Sequence, residues 1–219
     1  MSVWSVVVAA GSGSRFGGPK QLERLGDRRV LDWSLAAAEQ ASDGVVLVVA
    51  AEHRAEIEAT LGCSQSRPVV VTGGATRSAS VRCGLTAVPP SADVVVVHDA
   101  ARPLASPALF ARVVDAVRAG ADAAVPGVPV VDTIRRRSGG VVSRDELVAV
   151  QTPQAFRAEA LRAAHRGEPN ATDDATLVEA AGGKVVVVPG DPVNRKITDP
   201  SDLAIARALV DDPDSGVKR

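Results

Sequence analysis

The stretch 3-VWSVVVAAGSGSRFGGPKQ-21 joins an apolar run to a loop that holds four glycines and two cations. The run over residues 3–8 is uncharged and predicts a buried β-strand. In an α/β sheet, the loop after the first strand lies beyond the carboxyl ends of the strands, where ligands bind. Glycines there let the backbone approach a phosphate closely, and Arg15 and Lys20 supply positive charge. The stretch therefore predicts an α/β fold with an anion site on this loop.

Further Val-rich runs recur along the chain, and they are continuous rather than alternating, which is typical of strands covered on both faces. They are 45-VVLVVAA-51, 69-VVVT-72, 93-DVVVVHD-99, 122-DAAVPGVPV-130 and 185-VVVVP-189. Helical patterns lie among them over residues 31–41, 52–61, 75–88, 106–120, 157–167 and 172–182, and from Pro200 onward. Because strand and helix alternate, we predict a doubly wound, mostly parallel sheet sandwiched by helices.

One region breaks this alternation. Two extended segments flank 138-SGG-140 within residues 130–153, which predicts a β-hairpin with a Gly-rich turn. The hairpin has too little apolar surface to fold alone, so it lies either on the main sheet or on a partner chain. We predict one domain over residues 1–210, with a protruding hairpin arm over 130–152, and a flexible tail over 211–219.

Composition and charge argue against several classes of protein. The formal net charge is −1 and aromatic residues make up only 2% of the chain, which disfavours nucleic-acid binding. Cys63 and Cys83 have no metal-ligand spacing and fit reduced thiols. No apolar run reaches the roughly 18 residues of a membrane span, and no basic signal region opens the sequence. We predict a soluble, cytoplasmic protein that binds neither nucleic acid nor membrane.

The opening loop fits neither of two familiar nucleotide-binding motifs. The Walker A motif requires Gly-Lys-Ser/Thr, whereas Pro19 precedes Lys20 and Gln21 follows it. The dinucleotide motif GxGxxG requires glycine at position 16, which is Phe. A structural turn remains an alternative, but two cations within it favour chemistry on a triphosphate. Attack at an α-phosphorus builds charge that fixed cations stabilise, and an attacking group that is already anionic needs no base.

Two further segments follow predicted strands and carry candidate site residues. In 73-GGATRSASV-81, two glycines precede Ser78 and Ser80 near a helix N-terminus, which fits either anion recognition or ordinary capping. In 98-HDAARP-103, Asp99 ends a strand and fits a divalent cation or a ribose hydroxyl. His98 is more typical of packing or capping than of a general base.

Two segments in the second half of the chain are less specific alone. The hairpin carries Asp132, Thr133 and Arg144, and its alternative interpretation is a solvated edge. The segment 194-NRKIT-198 carries Lys196, whose alternative interpretation is a surface lysine.

Taken together and in order, these segments resemble the 2-C-methyl-D-erythritol 4-phosphate cytidylyltransferase family. The resemblance runs from about Val3 to Leu209 and rests on AAGSGSRFGGPKQ, GGATRSASV, HDAARP, DTI, the Arg144 segment, QTPQAF, ATDDA and NRKIT. It implies a Rossmann-like nucleotidyltransferase that transfers CMP from CTP to a sugar-alcohol phosphate, releases pyrophosphate and uses Mg²⁺ or another divalent cation. It also implies a homodimer whose hairpin arm crosses to the partner's site and places Thr133 and Arg144 in trans.

The same resemblance implies a role for each matching residue. The catalytic cations would be Arg15, Lys20, Arg144 and Lys196. The nucleotide pocket would be formed by Ala9, Ala10, Gly11, Ser12, Gly13, Lys20, Gly73, Gly74, Ser80, Asp99 and Ala100. Asp99 would also hold the metal. The sugar-phosphate site would be formed by Arg102, Thr133, Arg144, Thr152 and Lys196.

The chain departs from the family pattern at the opening loop, where 15-RFGGPK-20 is shorter than in many members. The match of 172-TDDA-175 is looser than the rest, and we assign it only a helix N-terminus. Two alternative functions stay open. A cytidylyltransferase of the same fold that acts on ribitol 5-phosphate would differ at the hairpin and around Thr152. A non-catalytic nucleotide-binding protein would not need all four cations.

Overall fold

The computed structural model describes residues 1–61 and 67–212 and contains an eight-stranded mixed sheet with helices on both faces. In chain order the strands are β1 (Val3–Ala9), β2 (Arg24–Leu25), β3 (Arg28–Arg29), β4 (Gly44–Val49), β5 (Val69–Thr72), β6 (Val94–Asp99), β7 (Ala123–Pro129), β8 (Ile134–Arg135), β9 (Val141–Val142), β10 (Val148–Val150), β11 (Gln154–Arg157) and β12 (Val185–Pro189). The helices are α1 (Val30–Ala41), α2 (Arg54–Thr60), α3 (Arg77–Ala87), α4 (Pro107–Arg118), α5 (Ala158–Ala164), α6 (Asp174–Ala180) and α7 (Pro200–Asp211).

The order of strands creates a switch point at the centre of the sheet. From one edge to the other the order is β12, β7, β11, β6, β1, β4, β5, and β10 continues the line of β11 along β7. Strand β1 is parallel to both β4 and β6, so the chain moves outward through β4 and β5 and then returns to the other side of β1. The predicted doubly wound, mostly parallel sheet is confirmed. Strand β10 lies within the second predicted extended segment of the hairpin, whereas the antiparallel strand β11 and the short β2–β3 hairpin were not predicted.

Two apolar layers cover the sheet because its strands are Val-rich on both faces. One layer joins α1 and α4 to the sheet and contains Phe110, and the other joins α3, α5 and α6 and contains Phe156. Both rings are completely buried. The helix starts follow ordinary capping rules: Ser106 caps α4 by accepting a hydrogen bond from the Leu109 N–H, and Pro107 occupies the first turn.

The predicted hairpin is present, but only its tip is independent of the main sheet. Strands β8 and β9 pair with each other, with Ile134 opposite Val142. The turn between them closes through glycines 139 and 140, which both have positive φ. The return strand β10 pairs with β7, so the base of the arm extends the main sheet. The base of the hairpin thus lies on the main sheet, and docking of the tip on a partner chain stays a prediction.

The ends of the predicted elements differ from the structure by a few residues, as fraying ends do. The predicted tail over 211–219 overlaps α7 at Asp211, and residues 213–219 lie outside the described residues, as does Cys63. Cys83 is a free thiol on α3. Within the described ranges, no helix is both long enough and apolar enough to cross a bilayer.

The two buried rings give a test of the packing on each face. We expect Phe110→Ala and Phe156→Ala each to lower the free energy of unfolding by about 3–5 kcal/mol, through lost burial and an unfilled cavity. Urea denaturation would measure the change. As a control, Ile205→Ala on α7, where the side chain is 42% exposed, should cost less than about 1 kcal/mol. Losses below about 1 kcal/mol at both rings would contradict the packing described.

Candidate active site

The carboxyl ends of β1 and β6 open into a cavity of about 400 Å³. The two strands pair in parallel with Val8 opposite Asp99, and the Ala100 N–H donates to the Val8 carbonyl at 3.0 Å. A cleft at the switch point of an open parallel sheet is the usual ligand site of this architecture. The residues that line it are Val8, Ala9, Ala10, Gly11, Ser12, Lys20, Gln21, Gly74, Ala75, Thr76, Arg77, Ser80, Asp99, Ala100, Ala101 and Lys196.

The Gly-rich loop closes on itself through Gly13. The N–H groups of residues 16–18 all donate to the Gly13 carbonyl, at 2.8–3.4 Å. Gly13 has φ +66°, and a Cβ there would lie 1.8 Å from the Gly18 oxygen, so only glycine fits. These three amides are used within the loop and are not available to a phosphate. The first turn, Gly11 and Ser12, lines the cavity instead, and in the described part of the chain no partner is found for the two N–H groups.

A second loop meets the cavity at glycines 73 and 74. The Ser80 hydroxyl accepts a hydrogen bond from the Gly74 N–H at 3.2 Å and donates to the Gly74 carbonyl at 3.3 Å. A Cβ on Gly73 would approach the Ala10 Cβ to 2.5 Å, so the two loops pack without room for a side chain. Ser80 therefore braces this turn at the cavity wall. Its predicted contact with the cytosine base stays a prediction.

The cap of α3 is Thr76 rather than one of the serines. The Thr76 side chain accepts a hydrogen bond from the Ala79 N–H. The Ser78 hydroxyl is buried and exchanges two hydrogen bonds with the main chain of Ala171, at 3.0 and 3.1 Å. Ser78 thus ties α3 to the segment before α6 and does not face the cavity.

Asp99 ends β6 at the cavity wall and carries two ion pairs. Its Oδ1 accepts from Arg77 Nε at 3.2 Å, and its Oδ2 accepts from Lys196 Nζ at 2.6 Å. Burial by itself raises the pKa of Asp99, but the charges of Arg77 and Lys196 outweigh burial and hold that pKa well below its usual range. The carboxylate is therefore ionised at neutral pH, as a metal ligand must be.

Arg77 joins Asp99 to a second buried carboxylate, and sequence reasoning missed it. Arg77 Nη1 donates to Asp174 Oδ2 at 2.6 Å, and His165 Nε2 lies 2.9 Å from Asp174 Oδ1. Burial lowers the pKa of Arg77, yet Asp99 and Asp174 together raise it further, so the guanidinium is fully charged. The helix N-terminus predicted at 172–175 is present, because Asp173 caps α6. The next residue, Asp174, turns inward.

Four cations gather around the cavity. Arg77, Lys20 and Lys196 line it, whereas Arg15 is exposed on the opening loop. Burial lowers the pKa of Lys20, and the positive charges of Lys196 and Arg15 lower it further. A lysine whose pKa falls partly because of other cations lies in a region of positive potential, which favours a polyphosphate.

His98 is buried and does not act as a base in this geometry. The Arg102 carbonyl can only accept, so His98 Nε2 donates to it at 3.2 Å. In a neutral ring Nδ1 is then the acceptor, and the Thr152 hydroxyl donates to it at 3.1 Å while accepting the Asp99 N–H at 3.0 Å. Burial lowers the pKa of His98 to about 4, so the ring is neutral at pH 7. Both ring nitrogens are used inside the fold, in agreement with the packing interpretation.

Four predicted substrate contacts do not line the cavity of their own chain. Thr152 is buried behind Asp99, and the Arg102 guanidinium donates to the Asn194 carbonyl at 2.8 Å. Thr133 and Arg144 are exposed on the arm, where Arg144 Nη1 donates to the Val131 carbonyl at 2.5 Å. Their roles toward a substrate stay predictions.

The carboxylate at the cavity wall fits a Mg²⁺ site of the kind that phosphates complete. Asp99 is the only acidic residue among those found to line the cavity. Mg²⁺ bound to a nucleotide typically takes one or two protein carboxylates and fills its other positions with phosphate oxygens and water. Over residues 1–61 and 67–212, no group of three or more His, Cys, Asp or Glu side chains is placed to hold a metal alone. A metal at Asp99 would therefore depend on the nucleotide.

Comparisons with known proteins agree on one family. The family model described as 2-C-methyl-D-erythritol 4-phosphate cytidylyltransferase (IspD) matches residues 3–212. The bifunctional enzyme IspD/IspF of Clavibacter michiganensis subsp. michiganensis is 47% identical over 219 residues, covering 94% of this chain and 53% of that protein. The 2-C-methyl-D-erythritol 4-phosphate cytidylyltransferase of Nocardia farcinica is 46% identical, covering 96% of this chain and 94% of that protein.

A solved structure shows the same fold. The crystal structure of 4-diphosphocytidyl-2C-methyl-D-erythritol synthase from Anaerococcus prevotii superposes with a TM-score of 0.84 at 31% identity, covering 95% of this chain and 98% of that one. The chain spans about half the length of the bifunctional relatives that it matches. The family model nonetheless covers almost every described residue. The chain therefore belongs to the 2-C-methyl-D-erythritol 4-phosphate cytidylyltransferase family.

Proposed function

We propose that this protein transfers CMP from CTP to 2-C-methyl-D-erythritol 4-phosphate and releases pyrophosphate, as a step of the non-mevalonate isoprenoid pathway. The observation that carries the proposal is the cavity at the β1–β6 switch point, which combines Lys20 and Lys196 with an ionised Asp99. Family membership supports the choice of substrates, and the relatives named above carry this activity in their names.

The reaction needs charge stabilisation rather than a base. An oxygen of the substrate phosphate attacks the α-phosphorus of CTP, a new P–O bond forms, and the bond to the bridging oxygen of the β-phosphate breaks. Pyrophosphate leaves with that electron pair. The attacking oxygen is already anionic, so no proton has to be removed. The structure suits this chemistry because His98 is neutral and engaged, while the cavity is lined by cations.

The charged side chains around the cavity have different proposed roles, which follow from their positions. Lys20 faces the cavity from the opening loop, where it can stabilise the charge that develops on the triphosphate. Lys196 lines the same cavity from the loop before α7 and can hold the attacking phosphate. Asp99 would bind Mg²⁺, which would supply positive charge to the phosphates when bound. Arg77 keeps Asp99 ionised and oriented.

We also propose a homodimer in which the arm completes the partner's site. Apolar side chains are exposed along the arm, including Val131 at 78%, Val141 at 56% and Val148 at 45%, and they have no core of their own. Thr133 and Arg144 lie on the same arm and do not line their own cavity. A partner surface would cover the valines and receive both polar side chains. The predicted cytoplasmic location stays a prediction.

The proposal is tested by pyrophosphate release. With CTP, Mg²⁺ and 2-C-methyl-D-erythritol 4-phosphate we expect turnover, and none after divalent cations are removed by EDTA. Ribitol 5-phosphate serves as the parallel substrate. Pyrophosphate release with ribitol 5-phosphate alone would show that ribitol 5-phosphate is the acceptor. No release with either substrate would contradict the proposed reaction and favour a non-catalytic nucleotide-binding protein.

The loop lysine should contribute to turnover rather than to folding. We expect Lys20→Ala to lower kcat by about 10²–10³, because a donor directed at developing charge is lost. Steady-state pyrophosphate release would measure this effect. Lys184→Ala is the matched control, since Lys184 is an exposed lysine before β12 and lies outside the cavity. Near-normal kcat in Lys20→Ala would remove Lys20 from the mechanism.

Mixing two inactive variants tests whether the arm acts in trans. In a mixed dimer of Lys20→Ala with Arg144→Ala, one site combines an intact Lys20 with an intact arm from its partner. If subunits exchange randomly, about a quarter of wild-type activity should return, since half the dimers are mixed and each has one working site. Sedimentation would confirm that dimers are present. No recovery after the two variants have been dissociated and reassembled together would place Arg144 in the site of its own chain.

A further inference from the structure

Lys196 is carried by an irregular segment that needs external support. Residues 190–197, here called the Lys196 loop, lie between β12 and α7 without helix or strand structure. A binding group must be held to within a fraction of an ångström to be effective. The support for this loop comes from Gln151, the first residue of 151-QTPQAF-156. In the sequence analysis this segment served only as a motif of the family resemblance.

The Gln151 carboxamide binds the Lys196 loop with both of its ends. Gln151 Nε2 donates to the carbonyls of Asp191 at 2.8 Å and Asn194 at 3.2 Å. Gln151 Oε1 accepts from the Asp191 N–H at 3.1 Å and from Asn194 Nδ2 at 3.4 Å. The side chain thus pairs with the Asp191 main chain as a neighbouring strand would. It is 5% exposed, so water does not replace these bonds.

Asn194 returns the contact from the loop side. It is completely buried, and its Nδ2 donates to the Thr152 carbonyl at 2.8 Å. Gln151 and Asn194 together, here called the amide clamp, join the Lys196 loop to the chain at residues 151–152. Beyond Lys196, the buried Ile197 donates its N–H to the Ala101 carbonyl at 2.8 Å. Lys196 is therefore fixed on both sides.

The other side of the clamp is the return segment of the arm, residues 148–152. Val150 ends β10, and its carbonyl accepts from Arg102 Nη2 at 3.5 Å, while Arg102 Nη1 reaches the Asn194 carbonyl. Thr152 in the same segment accepts the N–H of Asp99. A shift of the return segment therefore moves supports of both Lys196 and Asp99.

We propose that Gln151 is a positioning residue for Lys196, and that the amide clamp couples the arm to the sugar-phosphate side of the active site. The effect on substrate rests on the proposed function, whereas the effect on Lys196 itself does not. Gln151 does not line the cavity, so it acts through the loop that it holds.

The position of Lys196 can be observed directly because the chain has only four lysines. Reductive ¹³C-methylation followed by NMR gives a resonance for each, and Lys196→Arg assigns the one of interest. We expect Gln151→Met, a substitution of similar length without the amide, to shift the Lys196 resonance and leave that of Lys184 unchanged. An unmoved Lys196 resonance would overturn the proposal, whatever reaction the protein catalyses.

A double-mutant cycle tests the consequence for substrate. With α,β-methylene-CTP bound, calorimetry measures the Kd of 2-C-methyl-D-erythritol 4-phosphate without turnover. We expect Gln151→Met to raise that Kd about tenfold, to change the Kd of the nucleotide analogue less than about twofold, and to add little in a Lys196→Ala background. Equal losses for both ligands, or effects that multiply in the double variant, would show a merely structural role.

The control and the second variant come from the same motif. Gln154→Met removes an equally buried carboxamide whose Nε2 donates to Asp173 Oδ2 at 2.9 Å and to the Gln151 carbonyl at 3.3 Å. This variant therefore loses a bond to the Gln151 main chain but keeps every bond between the Gln151 side chain and the Lys196 loop. It should leave the Lys196 resonance in place even if stability falls.

If Gln151→Met does not fold, Gln151→Glu replaces it, because a carboxylate oxygen facing two carbonyls disrupts the same bonds. Wild-type protein without pyrophosphate release would overturn the proposed function alone, since the NMR result still decides the clamp.

Discussion

The site depends on one buried carboxylate held between two cations. Asp99 ends a central strand and receives Arg77 on one oxygen and Lys196 on the other. Removing Arg77 or Lys196 would leave the buried Asp99 carboxylate with one ion pair instead of two. Because a buried charge without its partner is unfavourable, the loss would lower the free energy of unfolding. The pairing therefore ties together three remote parts of the chain: the start of α3, the end of β6 and the loop before α7. The cavity between them has its shape because these three segments meet at one carboxylate.

The same arrangement sets the kind of chemistry that the cavity can support. Arg77 and Lys196 keep Asp99 ionised, so it is a poor proton acceptor. His98 is neutral, and both of its ring nitrogens are hydrogen-bonded within the fold. What remains is positive potential from the cations around the cavity. Burial lowers the pKa of Lys20, and the charges of Lys196 and Arg15 lower that pKa further. A pocket of this kind favours an acceptor that arrives as an anion and a leaving group that departs as one. Phosphoryl chemistry with a phosphate nucleophile meets both conditions.

The fold and the two cations of the opening loop were predictable because their signals are local. Continuous valine runs and alternating helices predicted the sheet, and glycines beside Arg15 and Lys20 predicted a loop at the carboxyl end of β1, where Lys20 lines the cavity. Its contact with a phosphate stays a prediction, and Lys196 was assigned to the site only through the family resemblance. Arg77 was missed because its partners are remote: Asp174 lies 97 residues further along the chain, and nothing in the local pattern reveals the pair. Strand β11 was missed because its QTPQAF sequence lacks a valine run, and its burial comes from its neighbours β6 and β7. The positions of Arg77 and β11 therefore depend on tertiary contacts rather than on local propensity.

Lys196 is held in two physically different ways, and the difference matters for function. Its ammonium pairs with Asp99, so part of its charge is neutralised until another anion takes the place of that carboxylate. Its backbone is held by Gln151 and Asn194, which are uncharged. A carboxylate in place of either amide would lose the N–H donors that bind main-chain carbonyls, and its negative charge would also lower the positive potential offered to a phosphate. Neutral amides fix the loop without lowering that potential, so the lysine can exchange Asp99 for a substrate phosphate while its main chain stays in place.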